Sequence, residues 1–197
     1  METLFLDFCS HRKRIALVKD SVTVAESEHL DHFDEAEVMP AIEALLQKAG
    51  TLFSGIGRIA AVTGPGGFMS QRVGLAVSNA LAWSLKIPIG ALHLADLYAA
   101  RIQGDVLWVH STKKQLLFIR GFGSFESTWP EPILITLDEL KTVSGGSYVG
   151  EVLPEQAAVL QITPLSSLKN IADVLPDVLA TVAFGSTPLV PWYGRGA

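Results

Sequence analysis

Apolar positions come in short runs parted by polar turns, and their spacing alternates between strand and helix periods. Leu4-Phe5-Leu6-Asp7-Phe8 predicts a short buried strand ending near an acid. Residues 15–18 and 22–25, joined through Lys19-Asp20-Ser21, predict a tight antiparallel hairpin. A polar stretch, 28–34, leads into a helix reaching about Ala49, with Pro40 in its first turn or at a kink. Ile59-Ala60-Ala61-Val62 predicts a strand buried on both faces, followed by a turn, Gly64-Pro65-Gly66-Gly67, and a helix over 70–85. Residues 87–91 predict a strand, and 94 to about 102 a third helix. The resulting β-β-β-α-β-α-β-α order predicts a mixed sheet with helices on its faces.

A second series starts with another hairpin, residues 106–109 and 116–119. Residues 133–135 predict a strand, 138–142 a short helix, and 148–150 a weak strand. Residues 168–182 predict a helix interrupted by Pro176, and 188–197 an extended tail. This divides the chain into an α/β lobe over 1–103 and a smaller lobe with its tail over 104–197.

With 197 residues, 49% of them hydrophobic, the chain has ample material for a core. No apolar run reaches the roughly 18 residues that span a bilayer, and the start, Met1-Glu2-Thr3-Leu4, lacks a signal peptide's features. The single cysteine, Cys9, excludes an internal disulfide and, with no activating neighbour, reads as inert. A cytoplasmic location is expected. Twenty carboxylates against 15 Lys plus Arg give a net charge of −5, unlike an autonomous nucleic-acid binder. The densest basic run, His11-Arg12-Lys13-Arg14, reads as a solvated hairpin end, with a lesser pair at Lys113-Lys114. Trp108, Trp129 and Trp192 read as packing residues, not as a stacking platform.

A strand feeding a glycine turn and a helix can aim backbone N–H groups at an anion, because the helix N-terminus carries partial positive charge. A plain strand-to-helix connection has the same pattern. Asp7, Gly64, Gly66, Gly67 and Arg72 are the candidates for such a phosphate loop. Arg72 is a cation in a first helical turn, so something negative must offset it: Asp7, a bound anion or a partner's carboxylate.

The run from Gly64 to Ala76, GPGGFMSQRVGLA, resembles the G-P-G-S-F-T-G-L-R-I-G-L-A pattern of the TsaB (YeaZ) family. Gly64, Pro65, Gly66, Phe68, Arg72, Gly74, Leu75 and Ala76 match identically, and Val73 stands for Ile. Leu4-Phe5-Leu6-Asp7 is similar to the family's first strand, Val38-Met39-Pro40-Ala41-Ile42 to the start of its first helix, and Pro191-Trp192-Tyr193-Gly194-Arg195 to its C-terminal P-x-Y-[LI]-R. Phe8 and Cys9 depart from its Thr-Ser, Gly67 and Met69 from the loop's Ser and Thr, and His110-Ser111-Thr112 from the second lobe's Asp-Ala-Arg.

The resemblance implies two tandem ribonuclease-H-like lobes of the actin/Hsp70/sugar-kinase superfamily, the second reduced. It implies a non-catalytic subunit of the tRNA N6-threonylcarbamoyladenosine complex, docked on the catalytic TsaD-type paralogue through its first two helices. An ATPase subunit and a separate adenylate-forming enzyme belong to that complex, and tRNA is met only within it; whether the isolated chain forms a homodimer through the same apolar helices is left open by the sequence. The missing hydroxyls leave no cofactor beyond weak, vestigial nucleotide binding. The helix over 70–85 is apolar on all sides and must be covered on all sides, by its own core or by a partner. The interface candidates are Val38, Met39, Ile42, Leu45 and Leu46 on the first helix, with Val73, Val77, Ala80, Leu81 and Ser84 on the second.

The alternative is a small enzyme of the same superfamily, a threonylcarbamoyl transferase or phosphotransferase with a degenerate nucleotide site. The catalytic paralogue carries two metal-binding histidines four residues apart; here His93 is followed at that spacing by Leu97, and one imidazole does not build the site. His29 and His32 with Asp31, Asp34 and Glu35 fit a helix start better than a metal site. No metal is expected.

Overall fold

The computed structural model describes residues 1–30, 35–113 and 115–194. Two compact units result: Met1–Leu94 with Asn170–Trp192, and Ala95–Lys169 with Tyr193 and Gly194. The expected division after residue 103 differs from this one. The chain returns after residue 169 to add its last helix to the first unit.

The first unit runs β1 (Glu2–Asp7), β2 (Arg12–Lys19), β3 (Val22–Leu30), α1 (Val38–Lys48), β4 (Ile56–Gly64), α2 (Phe68–Leu85) and β5 (Ile89–His93). After α3 (Leu94–Ala99), the second unit runs β6 (Val106–Lys113), β7 (Leu116–Phe122), β8 (Ile133–Thr136), α4 (Leu137–Lys141), β9 (Ser144–Glu151), α5 (Pro154–Ala157) and β10 (Gln161–Pro164). Then α6 (Ile171–Thr181) and β11 (Phe184–Gly185) complete the first. The sheets are ordered β11-β5-β4-β1-β2-β3 and β10-β9-β6-β7-β8. Leaving β11 aside, the two lobes repeat one topology. The second is reduced: α5 has 4 residues where its counterpart α2 has 18. Mixed α/β with two ribonuclease-H-like sheets is the architecture the resemblance implied.

The hairpin forms because Asp20 and Ser21 take φ of 48° and 63°, the left-handed pair whose twist matches paired strands. β3 extends to Leu30, past the predicted strand end, because Glu26 and Glu28 serve as partners for Arg12 and Arg14 on β2. The basic run is therefore part of a charge ladder across two strands. The predicted 87–91 strand lies at Ile89–His93 instead, and β10, β11 and α5 are too short to leave a periodic signal.

Leu4, Leu6, Ile15, Leu17, Ile59 and Ala61 alternate onto one sheet face and form a core with Val38, Ile42, Leu45 and Leu46 of α1 and Leu75 and Ala82 of α2. α6 lies against β2 and β3. Its Pro176 has no N–H to offer the Ala172 carbonyl four residues back; the Thr23 hydroxyl of β3 donates to that oxygen instead, at 2.7 Å. The helix thus passes through the proline that was expected to interrupt it. Ile42 sits at the centre of this core. Ile42→Ala should cost about 2–4 kcal/mol, whereas Met39→Ala, on the outward side of α1, should stay within about 0.5 kcal/mol; urea unfolding of both measures the contrast.

Candidate functional site

β1, β4 and β5 pair in parallel, so their carboxyl ends meet at one edge, the place where open α/β sheets hold ligands. Asp7 ends β1, Gly64 ends β4, and His93 ends β5. The sequence-predicted phosphate loop is assembled here, with the glycine turn leading into α2.

Asp7 is 1% exposed. Its Oδ1 accepts from the backbone N–H of Cys9 at 2.9 Å and of Ser10 at 3.0 Å, and its Oδ2 from the Ser10 hydroxyl. Lys13, also buried, donates to the Ser10 carbonyl at 2.8 Å. Burial pushes the Asp7 carboxyl above its ordinary 3.8, against these hydrogen bonds and the Lys13 charge, which pull it down. Asp7 is thus engaged in bracing the turn after β1.

The turn itself is closed onto that brace. A Cβ on Gly66 would lie 2.5 Å from the Cys9 Cα, so turn and strand tip touch backbone to backbone. Phe8, in place of a hydroxyl residue, packs against Gly74, where a Cβ would lie 2.6 Å from the Phe8 Cβ. Cys9 is buried, its thiol donating to the Val62 carbonyl at 3.3 Å. These residues do not fit a metal-bound triphosphate: the carboxylate is engaged, the backbone approach is filled, and Gly67 and Met69 carry no hydroxyl.

Arg72 does not reach Asp7. Its guanidinium lies 3.7 Å over the Phe68 ring on the exposed side of α2, a cation–π contact, so of the three counter-charges considered Asp7 is not the one that meets it. His93 meets Trp192 edge-on at 4.4 Å between ring centroids. Leu97 is buried. His29 is bonded to Ser27 at 2.7 Å; His32, Asp31 and Asp34 lie outside the described residues, as do Lys114 and Arg195. In the second lobe His110 is buried on β6, stacked on Trp108, with Nδ1 3.5 Å from Glu151.

The interface candidates divide by depth. Val38, Ile42, Leu45 and Leu46 are buried in the chain's own core and offer nothing to a partner, because the apolar stripe of α1 is consumed by the sheet it lies on. Val73, Val77 and Leu81 are half-buried against the same core. Ala80 and Ser84 are exposed, as is Met39 on α1. α2 turns Gln71, Gly74, Leu75, Ser78 and Ala82 inward and Met69, Arg72, Ala76, Ala80 and Trp83 outward. Trp83 is 84% exposed and Met69 61%. The interface candidates do not include Trp83, whose near neighbours on this face, Ala76, Ala80 and Ser84, are small. Nor do they include Gln71 and Asn79, whose amides face the chain's own tail.

The family model described as TsaD, tRNA N6-adenosine threonylcarbamoyltransferase, matches residues 24–180. The tRNA threonylcarbamoyladenosine biosynthesis protein TsaB of Bacillus subtilis is 31% identical over 101 residues, 51% of this chain and 44% of that protein. TsaB of Buchnera aphidicola from Acyrthosiphon pisum is 28% identical over 194 residues, 90% of this chain and 86% of that protein. The chain thus spans under half of the first relative and most of the second. A Pseudomonas aeruginosa crystal structure, described as similar to the peptidase YeaZ, superposes with a TM-score of 0.72 at 17% identity, covering 98% of this chain and 99% of that one; this is a likeness of fold. The lobes define a protein of the duplicated ribonuclease-H-like class. The chain belongs to the family of the TsaD model, within its TsaB (YeaZ) group.

A raised carboxyl pKa in the folded state favours the protonated form, so the stability it brings is fully present below 3.8 and is lost as pH rises through the folded value. Asp7→Asn keeps an acceptor for the two N–H groups and does not ionise. The stability of the parent relative to Asp7→Asn should therefore fall across that window, read from urea midpoints at stepped pH.

Proposed function

We propose that the chain is a non-catalytic subunit in tRNA N6-threonylcarbamoyladenosine synthesis, docking a TsaD-type catalytic paralogue through the outward face of α2, with Met39 of α1 contributing. The carrying observation is Trp83, a large aromatic ring left 84% exposed on a helix whose other side is packed. Exposed aromatics of this kind anchor interfaces when a partner covers them. Ala76 and Ala80, on the same face, let a partner helix approach closely. A specific interface buries on the order of 1,600 Å² summed over both partners, and Phe68, Met69 and Arg72 in the first turns of α2 carry the face toward the glycine turn.

The work of this subunit is to hold the catalytic subunit in an active arrangement, with no bond chemistry and no resident nucleotide of its own. The engagement of Asp7 within its own turn supports that reading. The net charge of −5 supports an indirect relation to tRNA, through the complex. The ATPase subunit and the adenylate-forming enzyme act alongside it, and an isolated chain pairs with itself through the same face. The setting is the cytoplasm; among the described residues no helix is long and apolar enough to cross a membrane.

Co-purification with the TsaD-type subunit of the same cell tests this. Trp83→Asp and Ala80→Glu should each abolish capture while melting within a few degrees of the parent, since surface changes usually shift stability by under about 0.5 kcal/mol. Undiminished capture by both variants would overturn the α2 surface. Micromolar binding of ATP with Mg²⁺ in calorimetric titration would favour the small-enzyme alternative.

A further inference from the structure

α2 meets the sheet through a central line of mostly small residues, flanked by the half-buried Val73, Val77, Leu81 and Leu85. Gln71, Gly74, Leu75, Ser78 and Ala82 are its buried residues, and only Leu75 is a large apolar side chain. The Ser78 hydroxyl turns back to the Gly74 carbonyl of its own helix at 2.7 Å. Helices are held in register by side chains that interdigitate; glycine, serine and alanine interdigitate little. Along that central line, packing specifies the rotation and height of the helix less than large side chains would.

Directional bonds from the returning tail supply what the packing lacks. The Asn79 side chain forms a reciprocal pair with the Leu189 backbone, accepting its N–H at 2.8 Å and donating to its carbonyl at 2.9 Å. Two turns earlier, the Gln71 amide, 1% exposed, donates to the Thr63 carbonyl at the end of β4 and to the Trp192 carbonyl at 2.8 Å. The Trp192 N–H closes the ring by donating to the Thr63 carbonyl at 2.8 Å. Leu189 packs on the core, and Trp192 on His93. Eight residues of helix rise about 12 Å, so the two amides grip α2 at separated points. At the position of Gln71 the sequence pattern that the chain resembles has leucine, which makes none of these bonds.

We propose that residues 188–192 are an internal latch that sets the register of α2, with Gln71 and Asn79 as positioning residues for its outward docking face. This deepens the docking reading and rests on it for its consequence, though not for the latch itself. Asn79 precedes exposed Ala80 by one residue and Trp83 by four, so a shift that frees Asn79 also moves the ring.

The test uses the full chain with Asn79→Ala, Gln71→Leu and the pair combined, the second restoring the leucine of that pattern in case the first folds poorly. Each lost hydrogen bond contributes about fivefold in an equilibrium, so with both Asn79 bonds gone α2 amides should exchange hydrogen about 25-fold faster in Asn79→Ala and more in the pair, while β1 and β2 keep their parent rates. Capture of the TsaD-type subunit should weaken about tenfold at a melting temperature shifted by only a few degrees. Unchanged α2 exchange in the double variant overturns the latch, as does acceleration shared equally by β1 and β2, which marks general destabilisation. Failure of the parent itself to capture that subunit overturns the docking reading, and the exchange result still decides the latch.

Discussion

Parallel pairing of β1, β4 and β5 is the constraint on which the rest of the first lobe depends. Parallel strands need a crossover between them, and the crossovers here are α1 and α2. The same geometry brings three strand ends to one edge, so Asp7, the glycine turn and His93 come together although 86 positions separate the first and last. That edge is where related architectures hold ligands. In this chain it is filled from within, by Cys9 against Gly66 on one side and by the Trp192 segment on the other.

The filling has a consistent chemistry. A site for a metal-bound phosphate needs an accessible carboxylate, hydroxyls and open backbone N–H groups. Here the carboxylate faces its own turn, the hydroxyl positions are phenylalanine, cysteine, glycine and methionine, and the room left by glycine is taken up by backbone. The shape of the loop sets where α2 begins. Arg72 rests on Phe68 at the surface and extends the outward face of the helix.

The two helices divide the apolar surface unequally. α1 is amphipathic, with Val38, Ile42, Leu45 and Leu46 inward and Met39, Glu43 and Gln47 outward, and its hydrophobic stripe is satisfied by the sheet. α2 is apolar around its circumference, and the sheet satisfies only one side. The uncovered side carries Trp83, 84% exposed. Along the small-residue line of its inner side, the amides of Gln71 and Asn79 add bonds to the tail.

Element order and type were legible in the sequence wherever a period ran long enough: the hairpin turn at Asp20 and Ser21, the buried strand at 59–62, and α2 with its glycine turn. The family was legible in the GPGGF run. The depth of each residue was not, because periodicity tells that Val38, Ile42 and Leu45 share a face, not whether a sheet or a partner covers it. Nor was the partition of the chain, since the helix after residue 170 carries no mark of the strand it will meet; only the fold shows Thr23 supplying the bond that Pro176 withholds. The local chemistry of the chain determined its strands, turns and helices through steric preference and hydrophobic period. Tertiary structure alone decided how deeply Asp7 would be buried in its turn and that the amides of Gln71 and Asn79 would hold the tail, because each depends on which distant parts of the chain arrive within reach.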